Sequence, residues 1–287
     1  MTEPLLDLDP ALNACPADVR SIHIIGICGT AMAALAGMLK ESGYQVSGSD
    51  ANVYPPMSDF LKGIEVKVFS GYKPENLQPP ADLVIVGNVI SKPNPEAQEL
   101  TRLRLPYLSM PQAIARFYIS GKNSLVVTGT HGKTTTSSML ASALFSAGGD
   151  PGFMIGGILK DFDANYRLGS GPCFISEGDE YDTAYFDKES KFFHYQPDIA
   201  VITSLEFDHA DIFPDLDAIK RQFHHLVRTV PGSGCIVSKM DDPDLESVLE
   251  MGCWTPVERF SASADAPCSD TDGFRSGGRG MFARRQQ

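Results

Sequence analysis

The fold class follows from one short sequence, SLVVTGTHGKTTT at residues 124–136. Its first five residues are mostly apolar, as in a buried strand, and a helical pattern begins at Lys133. The glycines between them let successive backbone N–H groups point at one phosphate, and the start of the helix adds partial positive charge. Lys133 would reach the β- and γ-phosphates of a nucleotide, and the Thr134 hydroxyl would ligate Mg²⁺. The predicted ATP-binding loop consists of Gly129, Thr130, His131, Gly132, Lys133, Thr134 and Thr135.

The spacing of this loop differs from the commonest phosphate-binding pattern. That pattern, GxxxxGK[ST], would need a glycine at position 127, where this chain has Val127. The shorter form Gly-Thr-x-Gly-Lys-Thr is present instead. A glycine-rich turn with an incidental lysine is the alternative interpretation. Phosphate binding is favoured because the strand, the loop, the Lys-Thr pair and the helix follow one another in the required order.

Two acidic stretches downstream of the loop each follow a predicted strand. Glu177 ends an apolar run that begins at Cys173, and Asp208 and His209 come after the run 199–204. Open parallel sheets bind ligands at the carboxyl ends of their strands, and Mg²⁺ takes few protein ligands, mostly oxygen atoms. Each stretch by itself is also typical of a solvated loop. Because both stretches belong to the same predicted α/β unit as the phosphate loop, we favour the interpretation that all three form a single metal–nucleotide site. The predicted metal ligands are Thr134, Glu177 and His209, and the predicted catalytic groups are Lys133, Glu177 and His209.

A second glycine turn lies near the N-terminus, between a predicted strand at 22–25 and a predicted helix at 30–41. Its sequence, GICGTA from residue 26, departs from GxGxxG because Cys28 and Ala31 replace two glycines. At the start of a helix such a turn can still bind a diphosphate, and Asp50, about 20 residues further on, could meet a ribose hydroxyl. The alternative is a Rossmann-like unit whose glycines only permit tight packing.

Strand and helix patterns alternate along the chain, which predicts parallel sheets with helices on their faces. The predicted fold class is α/β, with an N-terminal Rossmann-like domain followed by an incomplete P-loop ATPase-type domain. The expected divisions are a loose leader at 1–20, the first domain at 21–118, the second at 119–262 with a linker at 119–123, and a tail at 263–287. The tail has no apolar period and is rich in Gly, Ser, Asp and Arg, which is typical of disorder.

The composition limits the class of protein. A formal net charge of -12 argues against a nucleic-acid or membrane-surface partner, but not against nucleotides, because local N–H groups build phosphate sites. The 6 cysteines show no C-x-x-C spacing, so neither a zinc site nor a disulfide framework is predicted. The N-terminus lacks a signal-peptide pattern, and no apolar run reaches the roughly 20 residues that span a bilayer. We expect a cytoplasmic protein with reduced thiols.

Four further stretches, together with the phosphate loop, resemble the muramyl ligase family. They are GICGTAM (26–32), SDANVYPPMS (49–58), EYDTAYFDK (180–188) and LEFDHADIF (205–213). The resemblance runs from about residue 20 to 262. It implies a Rossmann-like domain for a UDP-sugar, a central ATPase domain, and a C-terminal domain for the incoming amine. Nothing in this sequence resembles that last domain, so a C-terminally truncated member of the family is expected.

The resemblance also implies a reaction, with ATP and Mg²⁺ as cofactors. ATP would phosphorylate the lactyl carboxylate of UDP-N-acetylmuramate, and the amine of the murein tripeptide L-alanyl-γ-D-glutamyl-meso-diaminopimelate would attack the acyl phosphate, in peptidoglycan recycling. The four stretches are most similar to the branch of the family that performs this ligation. Two alternatives stay open. One is the addition of L-alanine to UDP-N-acetylmuramate, and the other is a fragment that binds nucleotide or UDP-sugar without ligase activity.

The resemblance further implies residue roles. The UDP-sugar would be bound by Gly26, Gly29, Thr30, Asp50, Ser91 and Asn94. Lys133 corresponds to the phosphate-binding lysine, and Thr134, Glu177 and His209 correspond to metal ligands. Ser204 stands where the family usually has asparagine, which would affect the metal loop. His224 and His225 occupy the region in which several relatives have a carbamylated lysine.

Overall fold

The computed structural model describes residues 5–207, 213 and 215–261. Within that part of the chain the backbone forms two main sheets, each covered by helices, so the predicted α/β class is confirmed. We call residues 21–119, which build the first sheet and its helices, the five-stranded unit. Residues 123–260, which build the second sheet, are the seven-stranded unit. The predicted domain boundaries stay predictions.

The strands of the five-stranded unit are β1 (Ser21–Ile25), β2 (Gln45–Asp50), β3 (Lys67–Ser70), β4 (Leu83–Val86) and β5 (Tyr107–Ser109). All neighbours are parallel, in the order β3-β2-β1-β4-β5. Strand β1 is buried on both faces, because Ile22 and Ile24 join one apolar cluster and Ile25 joins another. The strand order reverses between β1 and β4, and such sheets bind ligands in the crevice at that point. The Rossmann-like prediction is confirmed.

The helices of this unit are α1 (Thr30–Glu41), α2 (Met57–Gly63), α3 (Pro95–Leu103) and α4 (Met110–Ile114). The bounds of α1 agree with the sequence prediction. Alanine, methionine and leucine, which dominate this helix, are good helix formers. The helix ends two residues before Gly43 takes a φ of 91°, a conformation that glycine adopts without steric cost. Because α1 begins shortly after the end of β1, the N-terminus of this helix lies at the carboxyl edge of the sheet.

The remaining strands are β6 (Asn123–Thr128), β7 (Gly152–Leu159), β8 (Ala164–Arg167), β9 (Cys173–Glu177), β10 (Asp182–Ala184), β11 (Asp187–Ser190), β12 (Ile199–Ile202), β13 (Cys235–Lys239) and β14 (Val257–Phe260). Seven of them form the second sheet in the order β14-β13-β12-β6-β9-β7-β8, in which β8 alone runs antiparallel to its neighbour. The short strands β10 and β11 pair with each other as a separate hairpin. Since β6 lies between β12 and β9, the loops that follow these three strands are adjacent.

The helices of the seven-stranded unit are α5 (Lys133–Ser146), α6 (Lys191–Tyr195), α7 (Leu216–Thr229) and α8 (Pro243–Glu250). Helix α5 has the predicted bounds and contributes Ala141 to a cluster with Leu125 and Phe153 on one face of the sheet. Helix α7 buries Phe223 and Leu226. These residues belong to the cluster that also contains Val126 and Phe174 of the sheet.

The two units share one apolar cluster and are packed together. The ring of Tyr118, in a π-helical turn at Ala115–Ile119, stacks on Phe174 of β9 at a centroid distance of 6.2 Å. On another side, Phe186 meets Tyr107 edge to face at 4.9 Å. Aromatic pairs of this kind each contribute about 1 kcal/mol beyond their buried area. Packing therefore fixes how one unit is oriented relative to the other.

The segment at residues 5–14 belongs to the predicted loose leader, and it makes hydrogen bonds to the five-stranded unit. The Leu6 N–H donates to Gln98 Oε1 at 2.8 Å. The Asn13 side-chain nitrogen donates to Tyr107 O at 3.0 Å. These partners are distant in sequence, so no local pattern could have predicted the contacts.

Three other expectations concern the ends and the linker. The predicted linker is shorter than expected, since β6 already begins at Asn123. The tail predicted at 263–287 lies outside the described residues. No helix in the described part of the chain is both long and apolar enough to cross a bilayer.

Candidate functional site

The predicted phosphate loop connects the carboxyl end of β6 to the start of α5. Gly129 has a φ of 122° and Gly132 a φ of 82°, both in the left-handed region that favours glycine. The segment after β12 holds the loop. The Thr130 N–H donates to Ser204 O at 3.0 Å, and the His131 N–H donates to Ser204 Oγ at 3.1 Å. A Cβ atom on Gly129 would lie 2.9 Å from the Ser204 nitrogen, so this close approach also requires glycine.

Lys133 is the first residue of α5, and its ammonium group lies against the loop. The Nζ atom donates to Gly129 O at 2.6 Å and to Thr130 O at 3.3 Å. It also lies 3.9 Å from Oε2 of Glu180, a residue that is only 5% exposed. Thr135 follows in the first helical turn and is exposed. A cation and the N-terminus of a 14-residue helix thus coincide, which is an arrangement that stabilises a bound phosphate.

Glu177 ends β9, the strand beside β6, and its carboxylate reaches the phosphate loop. The Thr134 hydroxyl donates to Glu177 Oε2 at 3.2 Å, and the Gly156 N–H donates to Glu177 Oε1 at 3.0 Å. Two oxygen donors therefore lie together beside the N-terminus of α5. Hydroxyl and carboxylate oxygens, completed by water and phosphate, are the ligands that Mg²⁺ prefers. The residues present fit a magnesium ion bound with a nucleotide.

His209 and Asp208, which the sequence assigns to the same site, lie outside the described residues. The chain just before them does contact the phosphate loop. The Glu206 N–H donates to Thr130 Oγ1 at 2.9 Å, and this hydroxyl in turn donates to Glu206 O at 3.2 Å. His131 Nε2 lies 3.7 Å from Glu206 Oε2. The loops after β6, β9 and β12 therefore meet at one edge of the sheet.

The turn after β1 is organised by its backbone N–H groups. Gly26 has a φ of 86°, and the N–H groups of Gly26 and Ile27 donate to Ser49 O at 2.8 and 3.1 Å. Gly29 is the N-cap of α1, and Thr30 is the first residue of that helix. The start of a 12-residue helix at the switch point of a parallel sheet is suited to an anionic group such as a diphosphate.

Asp50 ends β2 and supports this turn. Its Oδ2 atom accepts from the Cys28 N–H at 2.9 Å, and its Oδ1 atom accepts from the Asn52 N–H at 2.9 Å. The predicted contact with a ribose hydroxyl stays a prediction, but the carboxylate already has a structural role. Burial, and then the nearby Asp50 carboxylate, raises the pKa of Cys28 to about 11, so this thiol is protonated at neutral pH.

Ser91 and Asn94 lie on the loop after β4, next to the turn after β1. The Asn94 N–H donates to Ser91 O at 3.0 Å. The Asn94 Oδ1 atom accepts from the N–H groups of Glu96 and Ala97 at 2.9 and 3.3 Å, so this side chain caps α3. The cap uses the side-chain oxygen of Asn94 and not its amide nitrogen, and the predicted contact with the sugar stays a prediction. The structure thus brings the UDP-sugar candidates together at the switch point of the first sheet.

Glu96 is a fully buried carboxylate behind this loop. It accepts from the Ser49 hydroxyl, from Asn76 Nδ2 at 2.5 Å and from the Lys73 N–H at 3.1 Å, and His23 Nε2 lies 3.7 Å from its Oε2. Burial alone would raise the pKa of this carboxyl. The nearby His23 imidazole, together with the hydrogen bonds from Ser49, Asn76 and Lys73, outweighs burial and lowers the pKa.

Sequence reasoning missed the contacts that three residues make at these sites. Ser204, which we expected to affect the metal loop, accepts a hydrogen bond from the phosphate loop. Glu180 faces Lys133, and Glu96 binds the loop after β3 through the Lys73 N–H and the Asn76 side chain; neither glutamate has a local pattern that would reveal its partner. The capping role of Asn94 did have a signal, since an asparagine followed by Pro95 marks the start of a helix.

The sequence matches two family models. Residues 21–120 match the model described as "Mur ligase family, catalytic domain", and residues 127–275 match "Mur ligase middle domain". UDP-N-acetylmuramate–L-alanyl-γ-D-glutamyl-meso-2,6-diaminoheptandioate ligase of Escherichia coli (strain K12) is 48% identical over 237 residues, or 83% of this chain and 52% of the relative. UDP-N-acetylmuramate–L-alanine ligase of Aquifex aeolicus (strain VF5) is 36% identical over 232 residues, or 81% and 49%. The chain spans about half the length of the curated relatives it matches.

Among solved structures, one similar chain is UDP-N-acetylmuramate:L-alanyl-γ-D-glutamyl-meso-diaminopimelate ligase from Neisseria meningitides. It superposes with a TM-score of 0.81 at 48% sequence identity. The match covers 85% of this chain and 78% of that chain. The similarity therefore extends across both sheets.

Proposed function

The chain belongs to the Mur ligase family, and we propose that it acts in the ATP-dependent ligation of UDP-N-acetylmuramate to L-alanyl-γ-D-glutamyl-meso-diaminopimelate. The observation that carries the proposal is the site at which Lys133, Thr134 and Glu177 meet at the start of α5. The greater identity to the E. coli ligase than to the A. aeolicus ligase supports the tripeptide as the incoming amine, rather than L-alanine.

The proposed first step is transfer of the γ-phosphoryl group of ATP to the lactyl carboxylate. A bond forms between phosphorus and a carboxylate oxygen while the bond to the β-phosphate oxygen breaks, which gives an acyl phosphate and ADP. Amine attack on the acyl carbon then expels phosphate and forms the amide. Such transfers need positioning and charge stabilisation more than covalent work by side chains.

Within this proposal the phosphate loop binds ATP. The N–H groups between Gly129 and Thr135 and the start of α5 stabilise the phosphate oxygens. Lys133, which already donates to two loop carbonyls, would exchange those contacts for phosphate oxygens. Thr134 and Glu177 would hold Mg²⁺, and His209 would join them as the sequence implies. When bound, the ion neutralises charge that develops on the transferred group.

The UDP-sugar is proposed to bind at the switch point of the first sheet. The helix N-terminus at Gly29 and Thr30 suits its diphosphate, and Gly26 permits the turn. Ser91 and Asn94 border the same crevice. Because the reaction consumes ATP and a soluble sugar nucleotide, the cytoplasm is the proposed compartment.

The test is phosphate release by the purified chain with ATP, Mg²⁺, UDP-N-acetylmuramate and the tripeptide, each omitted in turn. The proposal predicts release that requires all four, and that L-alanine cannot replace the tripeptide. Lys133→Ala should abolish release, whereas Lys62→Ala, at an exposed position on α2, should not. Release driven by L-alanine would favour the alanine-adding reaction. Substrate binding without any release would favour a binding fragment.

A further inference from the structure

Helix α1 and the seven-stranded unit approach each other very closely at Gly37. A Cβ atom at this position would lie 2.4 Å from the hydroxyl oxygen of Tyr166 and 2.7 Å from its Cζ atom. Real Cβ atoms do not approach other atoms so closely. Glycine inside a helix costs about 1 kcal/mol relative to alanine. A glycine amid the alanine, methionine and leucine residues of α1 is therefore explained by the tyrosine ring that lies against it.

Tyr166 is held at this position by further contacts with the five-stranded unit. Its hydroxyl donates to Glu41 Oε1 at 2.8 Å, near the end of α1. Its ring lies edge to face with Phe60 of α2 at 6.4 Å. Burial, and then the neighbouring Glu41, raises the pKa of Tyr166, so the phenol remains a hydrogen-bond donor at neutral pH. Three residues of one unit thus surround one side chain of the other.

The contact connects the two candidate ligand sites through regular secondary structure. We call the turn after β1, at residues 26–30, the diphosphate turn. Gly37 lies seven residues, or about 10 Å along the helix axis, from Thr30 in this turn. On the other side, Tyr166 of β8 pairs with Met154 of β7. The same strand β7 continues to Gly156, whose N–H donates to Glu177 Oε1 beside the phosphate loop.

A groove of about 900 Å³ runs between α1 and the β7–β8 hairpin. Thr30 and Ile158 line it near the two ligand sites, and Tyr166 and Glu41 line it further along α1. Within this groove the facing surfaces of the two units leave open space, although the units pack together elsewhere. The Tyr166 contact is a point where the facing surfaces touch, so it sets the width of the groove at this end.

We propose that Tyr166, seated against Gly37 and Glu41, is a positioning residue that holds the diphosphate turn and the phosphate loop at the separation needed for phosphoryl transfer. This inference rests on the proposed function, because it assumes that the carboxylate of a UDP-sugar meets ATP between the two sites. A misplacement of about 1 Å between reacting groups can cost about a hundredfold in rate.

The test measures single-turnover ADP formation from ATP, Mg²⁺ and UDP-N-acetylmuramate by the full chain, with the dissociation constant of each ligand measured separately by calorimetry. Tyr166→Ala should lower the rate by roughly 10- to 100-fold while each dissociation constant stays within about twofold. Tyr166→Phe keeps the ring and should retain most of the rate. Gly37→Ala should resemble Tyr166→Ala, and the double variant should be no worse than either alone, since both changes disturb one contact.

Gly63→Ala is the matched control, because a Cβ atom at this position meets no atom within 4 Å. It should leave the rate unchanged. A purely structural role for Tyr166 would lower the melting temperature without changing the rate per folded molecule. Tight binding of both ligands together with an unchanged rate in Tyr166→Ala would overturn the inference and leave the proposed function intact. Failure of the unmodified chain to bind either ligand, or to form ADP, would overturn the proposed function itself.

Discussion

Gly129→Ala is the substitution for which the structure allows the clearest prediction, with Gly132→Ala as its matched control. Both glycines lie in the phosphate loop with positive φ, at 122° and 82°. An L-residue near the left-handed helical region, as at Gly132, costs about 1–2 kcal/mol, and a φ of 122° at Gly129 costs at least as much. The two sites differ in the space around them. A Cβ atom at Gly132 meets nothing within 4 Å.

At Gly129 the added atom would meet Thr203 Oγ1 at 2.3 Å, Ser204 O at 2.8 Å and Ser204 N at 2.9 Å. Two of these atoms are backbone, and the segment that contains them also accepts the N–H groups of Thr130 and His131. To relieve these clashes, the whole segment at residues 203–204 has to shift, which adds a further cost of about 1–3 kcal/mol. The total is about 2–5 kcal/mol for Gly129→Ala, against about 1–2 kcal/mol for Gly132→Ala.

Thermal and urea unfolding of the two variants measure this difference directly. For a chain of this size each kcal/mol lowers the melting temperature by about 2–4 °C, so Gly129→Ala should melt well below Gly132→Ala. Equal melting temperatures for the two variants would refute the account of how residues 203–204 support the loop. A melting temperature in Gly129→Ala equal to that of the unmodified chain would refute the same account.

Three further predictions concern single polar groups. Ser204→Ala removes the acceptor of the His131 N–H and should weaken Mg²⁺-ATP binding about tenfold or less, as calorimetry would show, since one hydrogen bond contributes about 1 kcal/mol. Thr134→Val should abolish the gain in nucleotide affinity that Mg²⁺ provides and leave metal-free binding unchanged; a full gain in the variant would contradict the assigned role. The pKa of Glu96 lies below its usual value of about 4.3, so its ionised form stabilises the fold above that pH, and the effect is lost as the pH falls through the lowered pKa. Glu96→Gln should therefore flatten the acid side of a stability–pH curve below about pH 4.3, and an unchanged curve would contradict this.

The parts of the fold that the sequence predicts well are those with local causes. The phosphate loop is one contiguous sequence, and α1 and α5 have the bounds that their composition and flanking glycines indicate. Glu177 follows from an apolar run that ends in a carboxylate at a strand terminus. In each case the residues that determine the structure are neighbours in the chain.

The parts that were missed depend on partners distant in sequence. Tyr166 packs against Gly37, and this contact joins the two units. The segment at 5–14 makes hydrogen bonds to Gln98 and Tyr107. The hairpin of β10 and β11 lies in a polar stretch without clear alternation, so periodicity gave no strand there. Glu96 follows a recognisable capping residue, but its burial results from side chains on β2 and on the loop after β3.

The proposed function requires that this chain bring a UDP-sugar carboxylate to the γ-phosphate of ATP between its two sheets. The most direct measurement is trapping of the acyl phosphate with hydroxylamine, which converts it to a stable hydroxamate. The account predicts a hydroxamate of UDP-N-acetylmuramate that requires ATP, Mg²⁺ and the sugar nucleotide, and that is lost in Lys133→Ala. Binding of both substrates without any hydroxamate in the unmodified chain would contradict it.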